Sequence, residues 1–260
     1  MRDVEAALRK ERILVTNDDG IHAPGLKVLE AIAHSLSDDV WVVAPESEQS
    51  ATSNSLTIRR PLRVRRFAER RLAVDGTPTD CVVVAVNHIL KDRHPGLVLS
   101  GVNHGGNLAE DVGYSGTVAA AREAALLGIR AIAFSQLRGG EAPTDFTVAE
   151  KFAPDIVRRL YSMPPERDLL FNVNFPPIAP EAITGISVAR QGRRDAMVGV
   201  IEVNDPSGRP YLWIGHWGED TTGEEDTDLA AIQAGAISVT PLHIDLTHEA
   251  SLALLREHFG

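Results

Sequence analysis

The sequence predicts an α/β protein built on a largely parallel, doubly wound sheet. Two observations in the first half lead to this prediction: short apolar runs recur along the chain, and stretches with helical apolar spacing separate them. Apolar runs of four or five residues are typical of strands buried on both faces. Alternation of such strands with helices implies right-handed crossovers between parallel strands.

The buried strands are predicted at 13–16, 40–44, 97–100, 131–135 and 169–173. A helix is predicted at 25–36, where Leu26, Leu29, Ile32 and Leu36 fall on one face. Further helices are predicted at 79–90, 117–127, 228–234 and 251–258. Residues 62–74 predict an antiparallel excursion with a charged turn around Glu69.

The pattern changes beyond Pro176. Strands are predicted at 186–190, 197–203 and 211–214, and the turn residues 204–208 join the last two into a protruding C-terminal β-hairpin. The chain therefore divides into an N-terminal extension (1–11), a frayed turn or short helix, followed by a core (12–180) and a hairpin region with the last core elements (181–260).

Composition excludes several classes of protein. The formal net charge of -10 argues against a general nucleic-acid binder, although a bound cation would still admit a small phosphorylated substrate. The single cysteine, Cys81, rules out an intramolecular disulfide and is expected in the core. The charged N-terminus shows no secretory signal and no run reaches the roughly 20 apolar residues of a membrane span, so a cytoplasmic location is expected.

Polar loops follow three of the predicted strands, at 17–20, 45–52 and 101–107. In an open parallel sheet such loops meet beyond the carboxyl ends of the strands, where ligands bind. Asp18 and Asp19 are adjacent carboxylates that favour a nearby cation, and the alternative is a solvated Asn-Asp-Asp-Gly turn. With the hydroxyls of Ser50 and Thr52 and the amide of Asn103 they form an oxygen set that suits Mg²⁺ or Mn²⁺.

A second candidate element is the segment 113–117, Gly-Tyr-Ser-Gly-Thr, which precedes a predicted helix. Its amides and hydroxyls are suited to hold an anion at the helix N-terminus, and the alternative is that Ser115 or Thr117 only caps the helix. The segment is not the Gly-x-Ser-x-Gly of serine hydrolases, and the chain has neither a Walker A loop nor a Gly-x-Gly-x-x-Gly fingerprint after a strand.

The nine histidines form no His-Glu-x-x-His pair. His104 is a candidate for substrate contact or for a surface role, and His243 for a structural hydrogen bond. The arginine-rich run 59–71 alternates with apolar residues, which predicts the solvated face of a hairpin.

Taken together, the motifs resemble the survival protein SurE family. They occur in the family's order and cover nearly the whole chain after residue 11: 13–20, 42–45, 49–52, 76–82, 99–105, 115–118, 172–176, 193–194, 225–228 and 238–242. The resemblance implies a Rossmann-like three-layer α/β/α core and a homodimer or homotetramer assembled through the C-terminal part, with a hairpin segment at about 185–213 that packs on another subunit. It also implies hydrolysis of nucleoside 5′- and 3′-monophosphates, with short polyphosphate as a further substrate.

The resemblance also implies a site. One divalent cation per subunit, Mg²⁺ or Mn²⁺, maps onto Asp18, Asp19, Ser50 and Asn103, and the two aspartates are the catalytic candidates. The phosphate-binding role maps onto Asn107, Ser115, Gly116 and Thr117. The chain has Ser53-Asn54-Ser55 where some members have Gly-His-Ser or Gly-His-Ala, and Tyr114 where some have histidine, so substrate preference is less firmly implied than metal binding.

The expected reaction is attack by water on the phosphorus, with an aspartyl-phosphate as the alternative route. Two other classes compete with this hypothesis. One is a non-catalytic nucleotide-sensing module, which inorganic phosphate release would exclude. The other is an acyl or glycosyl hydrolase using Ser115, which would stay active after removal of the metal.

Overall fold

The computed structural model describes residues 2–194, 199–215 and 224–260. The strands are β1 (Arg12–Thr16), β2 (Asp39–Pro45), β3 (Val64–Ala68), β4 (Arg71–Val74), β5 (Leu97–His104), β6 (Arg130–Gln136), β7 (Leu169–Phe175), β8 (Ile186–Val188), β9 (Val200–Asn204), β10 (Pro210–Ile214) and β11 (Ile237–His243). The α-helices are α1 (Arg2–Lys10), α2 (Pro24–Leu36), α3 (Pro78–Val84), α4 (Gly116–Leu126), α5 (Thr147–Tyr161), α6 (Asp228–Gln233) and α7 (Glu249–Phe259).

Among the described residues, nine strands form one sheet in the order β3-β4-β2-β1-β5-β6-β7-β11-β8. From β4 to β7 all neighbours are parallel, and β3 and β11 each pair antiparallel with their neighbours β4 and β7. Helices α1, α2 and α5 bury apolar residues against one face of the sheet, and α3 and α4 against the other. The prediction of a three-layer α/β fold with a mostly parallel sheet is confirmed.

Local sequence explains the helices that flank the site. Pro24 begins α2, and Leu26, Leu29 and Ile32 turn its apolar face to the sheet. Helix α3 begins at a capping box, in which Thr77 accepts the amide of Asp80 while the Asp80 carboxylate accepts the amide of Thr77. The predicted helix 79–90 is α3 followed by a π-helical turn at Ala85–Ile89.

The structure differs from the sequence prediction in the C-terminal part. The hairpin comprises less of the chain than predicted. In the described part of the chain β9 and β10 pair only with each other, whereas β8 joins the main sheet beside β11. Met197 and Val198 of the predicted strand 197–203 lie outside the described residues. Helix α5 and strand β11 were not predicted, and β5 continues to His104 where a loop was predicted from Gly101.

The N-terminal extension is the helix α1, which is anchored to the core by the fully buried Leu8. No helix in the described part of the chain has both the length and the apolar composition needed to cross a bilayer.

Candidate functional site

The polar loops after β1, β2 and β5 converge because these strands are neighbours in the order β2-β1-β5. They border an open cleft of about 620 Å³ at the carboxyl edge of the sheet. The cleft is lined by Asp18, Ser50, Ala51, Asn103, His104, Gly106, Asn107, Asp111, Tyr114, Ser115, Ile214 and Gly215. Five of the residues predicted to bind the metal or the phosphate therefore line it together with Tyr114: Asp18, Ser50, Asn103, Asn107 and Ser115.

The turn after β1 is braced by Asn17, whose amide nitrogen donates to the carbonyl of Gly20 while its oxygen accepts the Gly20 amide. Gly20 has a φ of +97°, and a Cβ there would lie 3.2 Å from the backbone of Ser47. Asn17 is fully buried and Asp18 is 4% exposed. The segment therefore forms a turn, as the alternative interpretation predicted, but this turn is buried and not solvated.

Asp18 lies against the N-terminus of α4. Oγ1 of Thr117 donates a 2.5 Å hydrogen bond to Oδ1 of Asp18. A Cβ on Gly116 would lie 2.7 Å from Cβ of Asp18, so only glycine permits this approach. Burial raises the pKa of Asp18 to about 6; the Thr117 hydrogen bond opposes this shift and the charge of Asp19 adds to it.

Asp19 is more exposed than Asp18, and its Oδ2 accepts the backbone amide of His104 at 3.2 Å. Burial raises the pKa of Asp19, the contacts with His104 lower it and the nearby Glu48 raises it further. Two adjacent carboxylates with raised pKa values are a site at which a bound cation would offset charge.

The loop after β2 carries Ser50, whose exposed hydroxyl donates to Glu48 at 2.8 Å. The loop is tied to the turn after β1 by the bond from the amide of Gln49 to the carbonyl of Asp18, and to the chain before α4 by the bond from the Ser53 hydroxyl to the carbonyl of Gly113. The Thr52 hydroxyl donates to the carbonyl of Gln49 and braces the loop. Ser50, and not Thr52, therefore faces the cleft.

Asn103 reaches the cleft through a bulge in β5. The pairing with β6 shifts between Ser100 and Asn103, and Gly101 in the bulge has a φ of +122°. A Cβ on Gly101 would lie 2.2 Å from the carbonyl oxygen of Phe134. The side-chain nitrogen Nδ2 of Asn103 donates to the carbonyl of Gly105 at 3.0 Å. This leaves the side-chain oxygen as the acceptor on the cleft that Asp18 and Ser50 also line.

The predicted metal ligands are all oxygen donors. The Asp18 carboxylate, the Ser50 hydroxyl and the Asn103 amide line the cleft, whereas Asp19 is not among its lining residues and accepts the amide of His104, which is one of them. Such a set fits a hard divalent cation and does not suit zinc. Among the described residues no three His, Cys, Asp or Glu side chains cluster as metal ligands do. The predicted set does not form such a cluster, since two of its four ligands are the neutral Ser50 and Asn103.

The predicted phosphate-binding residues divide into two groups. Asn107 and Ser115 line the cleft, and Ser115 also caps α4 by accepting the amide of Val118 at 3.0 Å. Gly116 packs on Asp18, and Thr117 is fully buried with its hydroxyl on Asp18. Ser115 therefore both caps α4 and lines the cleft, whereas the side chain of Thr117 is directed at the carboxylate of Asp18.

A clamp formed by the C-terminal region holds the loop at 108–111. Buried Arg194 donates to the carbonyl of Leu108 and pairs with Asp111 at 2.9 Å. Buried Asp228 accepts the amides of Ala109 and Gly192, and burial raises its pKa against these bonds. Neither Arg194 nor Asp228 was predicted to have a role in the site, although both belong to the ordered motifs 193–194 and 225–228.

The other candidates have simpler positions. His104 is exposed at the cleft with Nδ1 beside the Thr144 hydroxyl, and His243 accepts the amide of Asp245, as predicted for a structural hydrogen bond. The arginine-rich run supplies the exposed edge strand β3. His216 lies outside the described residues.

Comparison with known proteins identifies relatives along nearly the whole chain. The family model described as survival protein SurE matches residues 13–197. The chain is 54% identical over 248 residues to a protein of Paramagnetospirillum magneticum named 5′-nucleotidase SurE, covering 95% of each. It is also 54% identical to a protein of the same name from Parvibaculum lavamentivorans, covering 96% of this chain and 91% of the relative.

A solved structure agrees with this. The crystal structure of the SurE protein from Aquifex aeolicus superposes with a TM-score of 0.82 at 40% identity, covering 96% of this chain and all of that one. Matches of this length and identity, over both the sheet and the loops that border the cleft, establish that the chain belongs to the survival protein SurE family.

Proposed function

We propose that this protein is a divalent-metal-dependent 5′-nucleotidase that hydrolyses nucleoside monophosphates to nucleoside and inorganic phosphate. Relatives more than 50% identical carry the name 5′-nucleotidase. The observation that carries the proposal is the convergence of Asp18, Ser50 and Asn103 with Asn107 and Ser115 on one cleft. Hydrolysis of 3′-monophosphates and of short polyphosphate is part of the same proposal, because the cleft is open and the proposed contacts are to the phosphoryl group that these substrates share.

Asp18, Asp19, Ser50 and Asn103 would hold one Mg²⁺ or Mn²⁺ per subunit. When bound, the cation would offset charge on the phosphoryl oxygens as the ester bond breaks. Asp18 keeps Oδ1 on the Thr117 hydroxyl, which fixes the orientation of the carboxylate that the ion would use. Asp19 is the more accessible carboxylate, which makes it the better placed of the two to accept the proton of the attacking water.

The phosphoryl group would lie between the metal ligands and the N-terminus of α4. Asn107 and Ser115 border this position, and the helix dipole favours negative charge there. Tyr114 stands exposed on the same wall, within reach of the nucleoside part of a substrate.

A panel of phosphorylated metabolites with Mg²⁺, Mn²⁺ or a chelator tests the proposal. Release of inorganic phosphate from nucleoside 5′-monophosphates that stops on chelation and returns with added cation is the expected result. Binding without release would mean a nucleotide-sensing module. Activity that survives chelation would mean a hydrolase independent of the metal.

We propose further that the protein is a homodimer or homotetramer assembled through its C-terminal part. The two-stranded sheet of β9 and β10 exposes the side chains of Val200, Ile201, Leu212, Trp213 and Ile214, and α7 exposes Leu254, Leu255 and Phe259. Apolar residues exposed together in this way are typical of surfaces that another protein surface covers. A second copy of the chain is the occupant proposed here.

A further inference from the structure

Strand β7 carries the segment Asn172-Val173-Asn174, which has no role in the site described so far. Val173 packs in the core on the side of α2 and α5, so Asn172 and Asn174 point to the opposite face, the side of α4. Both asparagines are fully buried. A buried amide is costly unless its hydrogen bonds are made, so two of them in a central strand of a parallel sheet require an explanation.

Both asparagines bind the backbone of one residue, Asn107. Nδ2 of Asn172 and Nδ2 of Asn174 donate to the carbonyl oxygen of Asn107 at 2.7 and 3.1 Å. The amide nitrogen of Asn107 donates to Oδ1 of Asn174 at 2.8 Å. The backbone of Asn107 is therefore held on both sides although it lies in a loop.

The side chain of Asn107 is fixed by a third buried residue. Its Nδ2 donates to Oγ of Ser135 on β6 at 2.7 Å. One N–H of the side-chain amide is thus bound below the cleft, which leaves the second N–H of Nδ2 as the donor available to an anion in the cleft that Asn107 lines. Asn172, Asn174 and Ser135, here called the asparagine clamp, together determine the position of that amide.

Burial alone does not explain the asparagine clamp, because the neighbouring strand carries equally buried polar residues without such bonds. Ser238 and Thr240 on β11 pair in register with Asn174 and Asn172. They are 0% and 1% exposed, and their hydroxyls, like Oδ1 of Asn172, have no hydrogen-bond partner among the described residues. Within this polar layer, the direct hydrogen bonds to the cleft loop come from β6 and β7.

We propose that Asn172, Asn174 and Ser135 are positioning residues that hold Asn107 at the cleft, where the second N–H of its Nδ2 donates to the phosphoryl group of the substrate. The inference rests on the proposed function, in which Asn107 borders the phosphate position. It assigns a role to the 172–176 motif that neither the metal ligands nor the helix N-terminus supplies.

The test compares Asn172→Ala, Asn174→Ala and Ser135→Ala with the matched controls Ser238→Ala and Thr240→Val, which remove a hydroxyl from the same buried layer. For each variant, KM for a nucleoside 5′-monophosphate, the affinity for inorganic phosphate in the presence of Mn²⁺, and the affinity for Mn²⁺ alone are measured. Clamp variants should raise KM and weaken phosphate binding by about tenfold, the effect of one lost hydrogen bond. Mn²⁺ affinity should stay unchanged, and the controls should keep wild-type KM.

Asn107→Ala, alone and combined with Asn174→Ala, separates the possible failures. If the clamp acts through Asn107, Asn174→Ala should add nothing to the KM of Asn107→Ala. A wild-type KM and phosphate affinity in Asn107→Ala would reject the phosphate role of Asn107 in the proposed function, and this inference with it. A loss in Asn107→Ala together with clamp variants that match their controls would overturn the inference alone. Thermal unfolding of every variant checks that it is folded, and Ser135→Ala is the smallest change if the asparagine variants are not.

Discussion

The hydroxyl of Thr117 and the carboxylate of Asp18 are joined by a buried hydrogen bond, although the residues are 99 positions apart in the sequence. Through this bond the first turn of α4 contacts a candidate metal ligand, in addition to bordering the position proposed for an anion in the cleft. Since Thr117 holds one oxygen of Asp18, the other is oriented before any ion binds.

Thr117→Val keeps the shape of the side chain and removes the donor, so Asp18 should lose its orientation. We expect Mn²⁺ affinity to fall by roughly tenfold, within the range seen for residues that orient metal ligands. Thr117→Ser, which restores the hydroxyl, should recover most of the affinity in isothermal titration calorimetry. Equal affinities in Thr117→Val and the wild type would show that the bond does not orient the ligand.

Asp18→Asn and Asp19→Asn should each lower the rate of phosphate release by about a hundredfold or more, because an amide supplies no charge to the cation. Ser50→Ala and Asn103→Ala should be milder, since water replaces a neutral ligand more easily. Rates are compared at saturating metal, with circular dichroism as the check on folding. Full turnover by both aspartate variants would remove them from the metal site.

The pKa of about 6 at Asp18 predicts how metal binding depends on pH. The folded, metal-free protein keeps this proton up to about pH 6, whereas the unfolded chain releases it near 3.8, so this contribution to stability is lost as pH rises through 6. A cation must displace the proton below pH 6, and its affinity should fall by up to about tenfold per pH unit there. Calorimetric titration with Mn²⁺ from pH 5 to 8 measures this, and a flat profile would contradict it.

Tyr114 is 53% exposed on the cleft wall, so its ring is available to stack on a nucleobase. Tyr114→Phe should have a modest effect on kcat/KM for nucleotides and Tyr114→Ala a larger one, of about tenfold. The loss in Tyr114→Ala should be greater for a nucleotide than for a small alkyl phosphate, which has no base. Equal losses on both substrates, with unchanged metal affinity, would make Tyr114 a packing residue.

The hairpin of β9 and β10 should carry part of a subunit interface. Replacing residues 199–215 with a short Gly-Ser linker should give particles of lower mass in light scattering, because the exposed apolar residues of both strands are removed together. A solvent-facing change elsewhere, such as Arg59→Ala in the loop before β3, serves as the control. An unchanged mass would place the interface outside the hairpin.

Much of the fold follows from local sequence, since apolar runs and helical spacing report burial directly. The strands β1, β2, β6 and β7 and the helices α2 and α4 lie where these patterns predict them. Strand β8 was predicted as part of the hairpin segment because its three residues, two of them exposed, carry no sign of their partner, and pairing with β11 is a long-range choice. Strand pairing depends on which edges meet, and no local pattern records that.

The sequence by itself determined which side chains are the candidate oxygen ligands: Asp18 and Asp19 after one strand, Ser50 and Asn103 after two others. Only the tertiary structure decided what each of them is bound to. Thr117 lies on Asp18, and Asn172 and Asn174 hold Asn107, because crossovers bring residues distant in sequence to one edge of the sheet. Residue type determines which hydrogen bonds a side chain can make, and the packing of the fold determines which partner makes them.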